Sequence, residues 1–198
     1  MKKTIAFIFC LIGWFALIGQ YYLTIENRTT SVLEANLRFF TYFTILTNII
    51  VTVYFSILAF KKNPNQKSGV LTAITVYITV VGFIYQIILR GTWQPTGFQR
   101  LIDELLHSVM PVLTIIFWYL FENKAGLKYS QILKWTIFPI LYLVLILIRG
   151  SFSGFYPYPF VDVGSFGLTK VLINSLWITA FFTGLSLLYI KIGKILAK

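Results

Sequence analysis

The chain has a single histidine, His107, within DELLHSVMPVL (103–113). Asp103 and Glu104 precede it by four and three residues. On a helix both carboxylates fall on the imidazole's own face, where a carboxylate can hold a base in one orientation. Histidine is the usual general base near neutral pH, and a hydroxyl becomes a useful nucleophile only when such a base takes its proton. The hydroxyl that stands out is Thr41, in RFFTYFTILTN (38–48). Read as one helix, this stretch lines up Arg38, Thr41, Thr44 and Asn48 along a face. Asn48 and Thr44 are then candidate donors to an oxyanion. Arg38, Arg90 and Arg149 are candidates to grip a carboxylate or head group, as the guanidinium fork does. Each has a plainer reading beside it. A threonine often bonds back to its own helix, Asp103 and Glu104 can offset the positive start of a helix, Asn48 can link two helices, and each arginine can tie helix ends through a nearby acid.

These residues need elements to carry them. The 198 residues are 58% hydrophobic and 12% charged, with a mean hydropathy of +0.80. Soluble domains are about half apolar and about a quarter charged, so this chain is too apolar for a water-facing surface. It divides into six apolar runs, at about 4–25, 39–60, 70–89, 104–121, 132–148 and 168–190. Each is near the ~20 residues a helix needs to cross a bilayer. The expectation is an all-α, polytopic membrane protein with about six transmembrane helices in a single domain, 1–198. Only helices and closed barrels satisfy their backbone in lipid, and strand-length alternation is missing. The first run follows a basic start but is too long for the ~7–15-residue core of a signal peptide and lacks a small-residue cleavage site. KKNPNQKSG (61–69), with Asn-Pro and Gly as breakers, is read as a turn. Trp93, Trp118, Trp135 and the Tyr-Pro-Tyr-Pro run suit interfacial belts.

Charge orients the chain. The connections on one side carry only lysine as their cations, including Lys2, Lys3, Lys61, Lys62, Lys124 and Lys128. The other side carries Arg28, Arg38, Arg90, Arg100 and Arg149, with Lys170 and most of the acids. The positive-inside rule places both termini in the cytoplasm. The net charge of +11 is then a matter of topology, and nucleic-acid binding has no other support. In this topology the second and fourth spans both descend from the outer side, and Thr41 and His107 each lie about one turn below it at ~1.5 Å per residue. ILRGTW (88–93) and LIRGSF (147–152) form a short internal echo, each closing an odd-numbered span. One histidine and one cysteine, Cys10, are too few for a haem, a metal centre or a disulfide, so no cofactor or metal is expected.

The order FFTYFTILTN (39–48), RGTWQPTGFQRLIDELLHSVMPVL (90–113), RGSFSGFYPYPFVDV (149–163) resembles the six-span family of androgen-induced and FAR-17a-like membrane proteins, in its bacterial branch, over about residues 35–190. Animal members are threonine hydrolases of fatty-acid esters of hydroxy fatty acids. The resemblance implies Thr41 as nucleophile, His107, followed by Pro111, as base, and the Tyr158-Pro159-Phe160 element, through Tyr158, as part of the substrate contact. Phe40 stands where the animal proteins have leucine before the threonine, and the outer loops differ in length. Two expectations follow. One is an intramembrane lipid-ester hydrolase in a bacterial plasma membrane, acting on a membrane lipid or lipid-derived ester. The other is a non-catalytic membrane protein that binds or transports a lipid or organic anion, which the arginine-rich mouth would serve equally.

Overall fold

A computed structural model describes residues 1–62 and 66–197. The Asn63-Pro64 breaker lies outside the described residues. All regular structure among the described residues is helical. Six helices are long and apolar enough to cross a membrane: Lys2–Glu26, Phe43–Phe60, Val70–Thr92, Gly97–Phe121, Tyr129–Ser153 and Val163–Leu196. The chain is therefore the all-α, multi-pass type that its apolar runs imply. It forms two compact units, Met1–Asn123 and Lys124–Lys198.

In the first unit, α1 (Lys2–Glu26) lies along α3 (Phe43–Phe60). Gly13 makes that approach close, because a Cβ there would stand 2.2 Å from the Thr52 hydroxyl oxygen. One turn on, the Cys10 thiol and the Trp14 indole both reach the Ser56 hydroxyl at 3.1 Å. The interior is aromatic, with Phe55 and Phe117 fully buried and edge to face at 5.0 Å. Between α1 and α3 stands a short helix, α2 (Val32–Phe39), capped by the Ser31 hydroxyl, which accepts from Glu34 N–H.

The expected unbroken helix over 39–60 is not what forms. α2 ends at Phe39 and α3 begins at Phe43, with Tyr42 extended (φ −77°, ψ 126°). Bulky aromatics and a β-branched threonine have poor helix propensity. The break also lets Phe39 turn inward, 6% exposed, against Tyr21 and Phe40.

The next helix, α4 (Val70–Ile84), is the most enclosed span and continues through a π-turn, Tyr85–Leu89, and a 3-10 turn, Arg90–Thr92. Its partner comprises α5 (Gly97–Glu104), a second π-turn (Leu105–Val109) and α6 (Met110–Phe121). Pro111 accounts for the second π-turn. It has no N–H to give the His107 carbonyl, and its ring would crowd that oxygen in a regular helix. Met110 N–H instead bonds five residues back, to Leu105 O. At the far end Glu122 caps α4, accepting from Thr72 N–H (2.8 Å) and the Thr72 hydroxyl (2.7 Å). Trp118, expected in an interfacial belt, is 3% exposed and donates its indole N–H to Thr72 Oγ1 at 2.9 Å. Trp135 is likewise buried; Trp93 is exposed.

The second unit is a helical hairpin. A short α7 (Ile132–Trp135) leads into α8 (Ile137–Ser153), which ends at left-handed Gly154, and α9 (Val163–Leu196) returns. Gly167 (φ 75°, ψ 156°) kinks α9 near its start. Ile146, Val161 and Val171 form the core, with the aromatics of the connecting loop packed on them.

Candidate functional site

The polar groups of the first unit gather where α4 faces the π-turn of the α5–α6 helix. His107 Nδ1 lies 3.1 Å from Asp103 Oδ1 and 3.0 Å from the Asp103 carbonyl oxygen. Two acceptors at Nδ1 assign the proton to that nitrogen. Nε2 is left as the basic atom, with no hydrogen-bond partner among the described residues. Asp103 is 3% exposed, and its second oxygen accepts from the Tyr85 hydroxyl. The Tyr85 ring stacks on the imidazole, centroids 4.0 Å apart and 14° from parallel.

A second set lies one residue further along each helix. Gln86 Nε2 donates to Ser108 Oγ (2.8 Å), and Ser108 Oγ donates to Glu104 Oε2 (2.6 Å). Arg90 donates to Gln86 Oε1 (2.6 Å) and pairs with Glu104. The four side chains close a ring of hydrogen bonds. Glu104 is thus shared between the Arg90 guanidinium and the Ser108 hydroxyl.

Thr41 sits in the α2–α3 break, 6% exposed. Its neighbours Phe39, Tyr42 and Ile45 pack with Ile102, Leu105 and Leu106, which places the break and the π-turn at the same end of the first unit. Its hydroxyl donates to Leu37 O at 2.6 Å, the back-bond of the plainer reading. Because the helix is interrupted, Arg38 and Thr41 do not share a continuous helical face with Thr44 and Asn48, as the sequence suggested.

Asn48 is fully buried, and its Nδ2 reaches Thr44 O (2.9 Å) and Leu106 O (3.3 Å). The amide thus clamps α3 to the turn beside His107, and its N–H groups are committed rather than aimed at an oxyanion. Thr44 is buried beside it. Asn48 Oδ1, Thr47 Oγ1 and Thr52 Oγ1 are buried atoms with no hydrogen-bond partner among the described residues. Thr75, Thr79 and Thr114, in contrast, all bond back four residues.

Each of the three arginines has partners within its own unit. Arg38 is bonded to Glu34 at 2.7 Å, and Arg90 to Glu104. Arg149 belongs to the second unit, with Ser153 Oγ at 3.4 Å and its guanidinium 5.4 Å from the Phe155 ring centre. Tyr158, also in the second unit, stacks on Phe160 at 5.2 Å.

Tyr85 and Ser108 are the site members that reading by spacing missed. The signal was present, since Tyr85-Gln86 interrupts an apolar run just before the 90–96 connection, across that connection from Asp103–Ser108. No protein-family model matches the chain, and no curated protein or solved structure matches it. The likeness to the androgen-induced family therefore rests on the motifs alone.

Proposed function

We propose that the chain is an intramembrane lipid-ester hydrolase with Thr41 as nucleophile, His107 as base and Asp103 as the group that orients the base. The observation that carries this reading is the imidazole itself. It is fixed at Nδ1 by a buried carboxylate, held by an aromatic face, and bare at Nε2. That is the disposition a general base needs.

In the reaction the Thr41 hydroxyl turns from Leu37 O toward Nε2 and gives up its proton as its oxygen bonds to the ester carbonyl carbon. The tetrahedral intermediate collapses, the bond to the alcohol oxygen breaks, and His107 returns the proton to the departing alcohol. Water, deprotonated by the same nitrogen, then cleaves the acyl-threonine and releases the acid. Fatty-acid esters of hydroxy fatty acids are the first substrates to test, by the family resemblance. The location that goes with this reading is a bacterial plasma membrane, with the site toward the extracytoplasmic side.

Thr41→Ala and His107→Ala should each lower ester turnover by at least about a hundredfold, within the range for a lost general base or nucleophile, without loss of folded protein. Retained turnover in both variants removes the proposal. A second reading, a non-catalytic lipid or organic-anion binder, is favoured by the 2.6 Å bond that engages the Thr41 hydroxyl. Ligand binding without labelling by a hydroxyl-directed fluorophosphonate would select it.

A further inference from the structure

We propose that Tyr85 is a positioning residue for the His107 base, holding the imidazole in the Nδ1-protonated form through Asp103. The inference rests on the hydrolase reading for its catalytic meaning, but its geometry stands apart from that reading. Tyr85 touches the base in two ways at once. Its ring lies parallel to the imidazole at 4.0 Å, and its hydroxyl donates to the Asp103 oxygen that His107 does not use. Asp103 is the bridge, taking one donor on each oxygen. A buried carboxylate with one oxygen unsatisfied would rotate toward another donor, because an unmet acceptor in a closed interior is costly. The tyrosine hydroxyl removes that freedom, so Asp103 keeps Oδ1 on Nδ1. This is the support that a partner beyond the reacting groups gives to a histidine's tautomer.

The backbone is built to bring the tyrosine there. Tyr85 opens the π-turn of α4, and His107 lies inside that of the α5–α6 helix. One turn before Tyr85, Gly82 lets α4 approach the His107 carbonyl and the Pro111 ring, since a Cβ at that position would stand 3.2 Å from both. The charged groups nearby do not replace this arrangement. Arg90 lies 5.9 Å from the Tyr85 ring centre and is paired with Glu104, while α1 between Lys3 and Glu26 and all of α3 are uncharged.

His107 is the only histidine, so the full chain, purified without a histidine tag and labelled with 15N-histidine, reports this ring alone. The wild type should show one tautomer, protonated at Nδ1 and bare at Nε2. In Tyr85→Phe, which keeps the ring and loses only the hydroxyl, the Nδ1-protonated fraction should fall at least about twofold and kcat about tenfold with KM unchanged, as for a lost hydrogen bond to a charged group. Placing 4-aminophenylalanine at position 85 restores a donor on the same ring and should restore the tautomer. A wild type protonated at Nε2, or a Tyr85→Phe protein with the wild-type tautomer, overturns the inference. The wild-type spectrum tests it even where Tyr85→Phe does not fold. Absence of ester turnover in a wild type with the expected tautomer would sink the hydrolase reading instead and leave Tyr85 as the residue that fixes His107.

Discussion

Asp103 and Asp162 show how one residue type does two jobs. Asp103 is enclosed and spends both oxygens on side chains, Tyr85 and His107. Asp162 is half-buried and caps α9, accepting from the Ser165 hydroxyl at 2.7 Å and from Ser165 N–H at 3.1 Å. Those bonds, the hydroxyl's first, hold the Asp162 carboxyl below the usual aspartate range. Its folded-state pKa is thus lower than its unfolded one. The cap's contribution is complete above the ordinary aspartate range and is lost as pH falls through the depressed folded value. Protection of the first amides of α9, taken relative to the intrinsic exchange rate at each pH, should therefore fall over that acidic window, and Asp162→Ala should remove that fall. At this scale the sequence was partly legible. Asp103 and His107 share a face because four residues separate them on a helix, and the π-turn between them does not part them. The Thr41 geometry was not legible, because FFTYF contains no glycine or proline to announce that the helix stops there.

The six helices were read from apolar runs of bilayer length, and they form where those runs lie. What escaped the reading is the irregularity within them. A π-turn leaves no periodic trace in sequence, although Pro111 marks one of the two after the fact. The α4–α6 packing depends on Gly82, where an added Cβ would press on a backbone carbonyl and a rigid proline ring. Gly82→Ala should cost about 1–3 kcal/mol, the usual penalty for overpacking, read as a lowered Tm in detergent. Gly184 in α9 has nothing within 4 Å of its would-be Cβ. Gly184→Ala should be neutral or stabilising by up to about 1 kcal/mol through helix propensity.

Across the whole chain the cations separate largely by type, lysines on one set of connections and arginines, with Lys170, on the other. Six crossings would return the chain to the side on which it began, and the lysine-rich side is the expected cytoplasmic one. A periplasm-dependent phosphatase fused after Lys198 should stay inactive, while the same enzyme inserted in the 93–96 connection should be active; the reverse pattern would invert the topology. On the arginine side the plainer of the two readings describes Arg38 and Arg90, which pair with Glu34 and Glu104. The same pairings bear on motion. Tyr85–Asp103, Gln86–Ser108 and Arg90–Glu104 pin α4 to its neighbour at one end, and Trp118–Thr72–Glu122 pins it at the other. A piston stroke of one helical turn, ~5.4 Å, would break every rung together and strand a carboxylate at each end. This pair is bolted in register at both ends, and the helix break that carries Thr41 lies outside it.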